Sequence, residues 1–267
     1  MNFLHKYIPE PIIFSLGPIE IHWYGLLMVL GGLAGLFFVR KLFQLYRLKE
    51  KDLTDLVLVW VLFALIGARI YYVIYAWDYY RENLIDIIKV WEGGLAVHGV
   101  MLGVFGATYW FCRWRKINFW LMADIAAVGL AGAQIIGRWG NYFNQEIFGK
   151  PTDLSWGIPI EMKFRPSQFR EQNYFHPTVL YESLLSAVNF IILWAAHQWR
   201  VKRNKYLPEG VIFAVYIFIY SVIRFGLEYY RVDYSPMVFG LRWAQLLSIW
   251  LAMAAIIFVM YLYKKKK

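Results

Sequence analysis

The sequence predicts an all-α polytopic membrane protein with seven transmembrane helices, the N-terminus outside, the C-terminus cytoplasmic and a small extracytoplasmic head between helices four and five. Three observations predict it. Of 267 residues, 60% are apolar and 20% aromatic, whereas a soluble domain carries roughly 45 to 50% apolar residues. Windows of about 20 apolar residues, the length that crosses the hydrocarbon as helix, recur along the chain. Lys and Arg gather after alternate windows, as they do in short cytoplasmic loops.

The windows fall in order at 19–39, 53–76, 95–111, 119–137, 177–199, 210–229 and 242–263. Arg40, Lys41, Arg47, Lys49 and Lys51 follow the first, and Arg113, Arg115 and Lys116 follow the third. Arg200, Lys202, Arg203 and Lys205 follow the fifth, and Lys264, Lys265, Lys266 and Lys267 end the chain. These ends are assigned to the cytoplasm. On the other side Arg138, Lys150, Lys163, Arg165 and Arg170 share one long segment. The net charge of +10 is thus an orientation signal and an attraction to anionic lipid headgroups in the bilayer; no nucleic acid is expected as a partner.

The long segment, 142–176, contains Pro151, Gly157, Pro159 and Pro166, which break any extended helix. Trp156, Ile158, Ile160 and Phe164 are expected to fold it back on the membrane surface as a cap. Residues 1–18 lack the basic start and apolar core of a cleavable signal peptide, so the first window is expected to serve as an uncleaved signal. The chain, 1–267, reads as a single integral membrane domain.

Gly31 with Gly35, Gly99 with Gly103, and Gly129 with Gly132 fit small-residue helix packing in lipid. Gly137, Gly140 and Gly149 flank Arg138 and Asn141, where backbone approach to a headgroup competes with packing. Asp124, at the cytoplasmic start of window four, is expected to cap a helix or pair with an Arg. A lone Cys112 and five scattered histidines offer no metal-ligand spacing. The chain carries neither a phosphate-binding Gly-rich loop ending in Lys and Ser/Thr nor a nucleophilic Ser elbow, so no metal or cofactor is expected.

Polar groups converge at the outer ends of the windows. The first enters with His22-Trp23-Tyr24-Gly25, the third with Glu92-Gly93-Gly94 and His98-Gly99, and the fifth with His176-Pro177 and Tyr181-Glu182. The second leaves with Arg69, the fourth with Arg138 and Asn141, and the sixth with Arg224 and Glu228; the seventh begins at Arg242 and Gln245. A charge near a helix centre costs about 2.5 to 3.5 kcal/mol, so Arg69, Glu182, Arg224 and Glu228 must be paired, hydrated or ligand-bound. Fixed cations and amides clustered at one membrane face suit an anionic, lipid-borne ligand. Arg224 and Glu228, four apart, share one helix face and are open to reading as a structural ion pair.

These residues resemble the prolipoprotein diacylglyceryl transferase family, over nearly the whole chain. The run Gly137-Arg138-Trp139-Gly140-Asn141-Tyr142-Phe143-Asn144-Gln145-Glu146 is the most specific part. The segments at His22 to Gly25, Gly93-Gly94 with His98-Gly99, His176-Pro177 with Tyr181-Glu182, and Arg224 with Glu228 and Arg231 follow in the family's order. Val100 departs from it, standing where a second glycine is common. The resemblance implies a multi-pass enzyme of the bacterial inner (cytoplasmic) membrane with its active site on the extracytoplasmic side. Such an enzyme moves the diacylglyceryl group of phosphatidylglycerol onto the lipobox cysteine thiol of a prolipoprotein signal peptide, forming a thioether and releasing glycerol phosphate.

That chemistry gives the residues roles. Arg138 and Arg224 would stabilise charge on the phosphate as it leaves. A free thiol has a pKa of about 8.5 and an unperturbed imidazole about 6.5; a His held near arginines tends to stay neutral. His98 is therefore the candidate base, with Tyr24, a carboxylate or water as alternatives. Tyr24, Asn141, Asn144, Glu146, Gly149 and Glu228 are candidates for phosphatidylglycerol binding, Asn141 and Asn144 competing with turn formation. Arg69, His176, Tyr181 and Glu182 are candidate supports. Two rivals use the same features. A transporter or channel for an organic anion would also place Arg in its helices, but the chain lacks repeated halves and its polar set is not at the midplane. A photoreceptor-like seven-helix protein would need a retinal Lys, which window seven lacks.

Overall fold

In the computed structural model, residues 2–17, 19–202 and 207–265 are described. Arg203, Lys205, Lys266 and Lys267, used above for orientation, lie outside the described residues. The chain opens with α1 (Asn2–Lys6) and the antiparallel hairpin of β1 (Ile12–Leu16) and β2 (Ile19–His22). Then come α2 (Trp23–Leu45), α3 (Glu50–Tyr75), α4 (Trp77–Tyr80), α5 (Val97–Arg115) and α6 (Phe119–Phe143). Two-residue strands β3 (Ile158–Pro159) and β4 (Tyr174–Phe175) pair in the segment before α7 (Thr178–Lys202). After α8 (Val211–Glu228), strands β5 (Met237–Val238) and β6 (Leu241–Arg242) form a hairpin into α9 (Trp243–Lys264).

Six of these helices, α2, α3, α6, α7, α8 and α9, are long and apolar enough to cross a membrane. The protein is therefore mostly helical and multi-pass. The third expected span falls on a helix, α5, 19 residues long, but this helix is not one of the six. His98, three glycines and the terminal Arg113 and Arg115 dilute its apolar character. Its outward face is nevertheless oily: Met101, Leu102 and Phe105 are exposed.

The described chain divides into two compact units, Met1–Leu42 with Asp124–Lys267, and Phe43–Ala123. In the first, α2 meets α6 through the expected glycines. A Cβ built at Gly35 would lie 2.6 Å from the Gly129 carbonyl oxygen, and one at Gly31 2.9 Å from that of Ala133, so any side chain would push the helices apart. Ser183 donates to the Ile135 carbonyl at 2.7 Å and Gln134 to the Tyr216 hydroxyl at 3.0 Å, tying α7 and α8 to α6. Asp124 is fully buried. Its carboxylate pairs with Arg200 at 2.8 Å and accepts the backbone N–H groups of Gly210 (2.9 Å) and Phe213 (2.7 Å). It thus fills both roles expected of it, capping the otherwise orphaned donors at the start of α8 and neutralising an Arg.

The segment from Tyr142 to Phe175 wraps a small core of Tyr142, Phe148, Ile158, Ile160, Phe175 and Val179, with Leu4 and Val232 packed against it. Ile158 and Ile160 are only 2% exposed. They fill this core, a closed apolar cluster that lets so short a segment hold its shape, whereas Trp156 and Phe164, also expected on the membrane surface, are exposed. The N-terminus takes part too. His5 Nδ1 lies 2.7 Å from the Gly157 carbonyl oxygen, and its ring stacks on Tyr174.

The second unit is built on α3 and α5. Gly67 faces Gly99 and Gly103 at their closest approach, and Trp60 donates to Thr108 at 2.7 Å. Arg115 ties the helices at one end through Asp52 and Asp55.

Candidate active site

The amide-rich run folds as the last turns of α6 and a tight exit. Arg138 and Asn141, three apart, lie on one face, and Arg138 Nη1 donates to the Asn141 side-chain oxygen at 3.4 Å. Asn141 in turn donates to Glu146 at 2.7 Å, and Asn144 to the same oxygen at 3.5 Å. Gln145 and Ile147, on either side of Glu146, turn the chain sharply with φ angles of 52° and 59°. The other side of Arg138 pairs with Glu182 of α7 at 2.5 Å. Glu182 is 3% exposed, so its charge depends on this guanidinium. Glu146 thus reaches Arg138 only through Asn141, and Glu182 is its direct carboxylate. Tyr24, at the start of α2, packs on Gly140, where a Cβ would lie 3.1 Å from its ring.

Gly149 and Lys150 hold the 142–176 segment against the ends of two helices. The Gly149 N–H donates to the His176 carbonyl at 2.8 Å, and Lys150 N–H to the Tyr230 carbonyl at 2.7 Å. A Cβ on Gly149 would stand 2.8 Å from both His176 Cβ and Thr178 Cγ2. Packing alone therefore demands glycine here, whatever a headgroup adds. His176 stands 3.3 Å from the Tyr181 hydroxyl, which also accepts the Trp156 indole N–H at 2.8 Å. Burial holds the His176 imidazole below its ordinary pKa, favouring the neutral form.

At the end of α8, Arg224 pairs with Glu228 at 3.0 Å, the ion pair open from sequence. Glu228 has further partners: Arg242 Nε at 2.8 Å on its other oxygen and Arg231 Nε at 3.9 Å. Arg231 holds Asp233 with two hydrogen bonds, at 2.7 and 3.0 Å. Burial opposes the Arg231 charge, yet its bonds to Asp233 and the fields of Asp233, Glu228 and Glu182 raise its pKa above the ordinary value. The fields of Glu182 on α7 and Glu228 on α8 therefore act on one guanidinium.

Arg69 and His98 belong to the other unit. The Arg69 guanidinium donates to the carbonyls of Ile87 (2.8 Å), Gly93 (2.7 Å), Gly94 (3.0 Å) and Asp86, with Lys89 at 3.4 Å. Its donors are directed into the 86–94 loop, whose Gly93 and Gly94 have φ angles of 92° and 71°. The loop leads directly into α5, where His98 stacks on Tyr71 at 5.6 Å between ring centres. Arg69 thus serves the loop that delivers His98.

Asp233, the partner of Arg231, and Gln145 join the site without being singled out by the sequence. Gln145, 2% exposed, donates to the Pro9 carbonyl and to Glu161, both at 2.8 Å. A long amide side chain inside a run already rich in amides was its only signal. Arg242 was visible as the start of a window but not as the counter-ion of Glu228.

The family model described as prolipoprotein diacylglyceryl transferase matches residues 11–261. A phosphatidylglycerol–prolipoprotein diacylglyceryl transferase of Synechococcus sp. (strain CC9902) is 40% identical over 266 residues, 97% of this chain and 95% of the relative. That of Acaryochloris marina (strain MBIC 11017) is 42% identical over 241 residues, covering 90% and 86%. That of Prochlorococcus marinus (strain NATL1A) is 38% identical over 288 residues, covering 99% and 94%.

Proposed function

The chain belongs to the prolipoprotein diacylglyceryl transferase family, and on that premise we infer that it transfers the diacylglyceryl group of phosphatidylglycerol to prolipoproteins, an early step of lipoprotein maturation. The acceptor is the lipobox cysteine of the signal peptide. Its sulfur bonds to the terminal carbon of the diacylglyceryl unit as the bond from that carbon to the phosphate oxygen breaks. The electron pair leaves with glycerol phosphate, and the thiol proton passes to a base. The enzyme works in the bacterial inner membrane, with α5 crossing as the third of seven spans and the 142–176 head and active site outside.

The observation that carries this reading is the Arg138 guanidinium, fixed on one side by Glu182 and on the other by Asn141 and Glu146. A cation so held needs little reorganisation to meet charge developing on a phosphate oxygen. Arg224 supplies the second guanidinium, and Glu228 orients it. Asn141, Asn144 and Glu146 offer donors and an acceptor to the glycerol hydroxyls, and Tyr24 a hydroxyl to the phosphate. Gly149, His176 and Tyr181 brace the wall of the site. His98, carried by the loop that Arg69 organises, accepts the thiol proton.

Mass spectrometry of a lipobox peptide tests the reaction. Incubated with the protein in vesicles containing phosphatidylglycerol, the peptide is expected to gain the mass of one diacylglyceryl unit on cysteine. An unchanged peptide, with organic anion crossing the sealed vesicles, would replace the transferase by a transporter.

A further inference from the structure

We propose that Arg242 is a positioning residue for phospholipid recognition: it neutralises Glu228 and so leaves Arg224 with charge to offer the substrate phosphate. The inference rests on the role given to Arg224 above. Its starting point is a problem of electrostatics. Arg224 and Glu228 are one helical turn apart, and a lone pair of that kind would cancel the very charge that phosphate binding needs. A guanidinium already neutralised by a buried carboxylate attracts an anion poorly.

The structure resolves the problem from outside the helix. Glu228 is 1% exposed, and its two oxygens are divided. One faces Arg242 Nε at 2.8 Å; the other faces Arg224 at 3.0 Å, with Arg231 farther away at 3.9 Å. Arg242 is the more firmly held of the two close partners. Its Nη1 donates to the Arg231 carbonyl at 2.6 Å, its Nη2 to the Asp233 carbonyl, and its own N–H to Gln245 at 3.0 Å. Gln245 is itself only 3% exposed. Arg231 is occupied by Asp233. Among the described residues, Glu228 is the one ion-pair partner of Arg224.

The charges then sum simply. Three guanidinium groups, Arg224, Arg231 and Arg242, stand among two carboxylates, Glu228 and Asp233, leaving one positive charge. Arg242 and Arg231 are committed to carbonyls and carboxylates, so the surplus belongs to Arg224. Without Arg242 the group would be neutral, and Glu228 would turn wholly to Arg224. Arg242 acts through Glu228 and need not touch the lipid.

Turnover of the full-length enzyme with phosphatidylglycerol and a lipobox peptide tests this through charge. Arg242→Gln is expected to lower kcat/KM for the lipid about tenfold. Adding Glu228→Gln in the same chain restores the surplus charge, though not the carboxylate that orients Arg224, and is expected to raise kcat/KM at least about threefold above that of Arg242→Gln alone. A merely structural role for Arg242 gives the opposite result, because removing a second member of the cluster deepens the loss. Arg242→Lys keeps the charge but not the fork to the two carbonyls, and is expected to stay within about threefold. An Arg242→Lys enzyme disabled about tenfold or more, an Arg242→Gln enzyme of normal kcat/KM, or a double variant without recovery each overturns the inference. Should Arg242→Gln not accumulate, the Arg242→Lys result decides alone. Arg224→Ala, measured in parallel, separates the two layers. Near-normal turnover there removes the role of Arg224 itself, whereas an inactive Arg224→Ala enzyme beside a normal Arg242→Gln enzyme removes only this inference.

Discussion

Arg138→Ala is expected to abolish thioether formation, with turnover at or below about one-thousandth of wild type. In the proposed reaction the guanidinium meets the charge that develops on the departing phosphate, and loss of one such preorganised donor typically costs 10²- to 10³-fold. Arg138 also neutralises Glu182, which is 3% exposed. Leaving that carboxylate unpaired costs about 3 to 5 kcal/mol of stability, so the Ala variant alone confounds folding with chemistry. Arg138→Lys separates them. It keeps a cation for Glu182 but loses the fork that serves Glu182 and Asn141 together. The Lys variant is expected to insert and resist heat much as the wild type does, and still to fall at least about a hundredfold in rate. Near-normal turnover in either variant would remove Arg138 from the mechanism.

His98→Gln is expected to lower turnover about 10²- to 10⁴-fold at neutral pH, the usual contribution of a positioned base. Glutamine keeps hydrogen-bonding capacity at the start of α5 but cannot accept a proton. The pH dependence distinguishes a base from a scaffold. A thiol ionises by itself as pH approaches about 8.5, so the gap between variant and wild type should narrow with rising pH. A scaffold defect would stay constant across the same range. If His98→Gln keeps substantial activity at neutral pH, the base is Tyr24, a carboxylate or water.

Much of this fold is legible in the sequence because lipid imposes a simple rule: an apolar stretch of the right length becomes a helix. The window at 119–137 anticipates α6, although the helix continues through Arg138 and Asn141 to Phe143. Those polar residues interrupt hydropathy without interrupting hydrogen bonding. The glycine pairs were legible for a similar reason, since close helix packing admits few side chains. Asp124 was legible as an isolated carboxylate needing both a cap and a cation, and the structure supplies both.

Contacts between distant segments were not legible. Nothing in the spacing of Arg138 and Glu182 announces their pairing, which depends on how α6 packs on α7. Arg242 reaches Glu228 only because the β5–β6 hairpin returns the chain to the end of α8. Gln145 and His5 join the N-terminal segment to the 142–176 segment, although each is an ordinary polar residue in the sequence. Arg69 is expected as a support that must be paired, hydrated or ligand-bound, but which groups its donors meet, the backbone carbonyls of the adjoining loop, cannot be read from its place near a helix end.

At the centre of the proposed function, Arg138 and Arg224 serve a single phospholipid headgroup. Photolabelling with phosphatidylglycerol carrying a photoreactive group on its glycerol head tests it most directly, with labelled peptides identified by mass spectrometry. Label is expected in the segments around Arg138 and Arg224 together, displaced by unlabelled phosphatidylglycerol. Label confined to one of the two, or undiminished by the competitor, would overturn the shared headgroup.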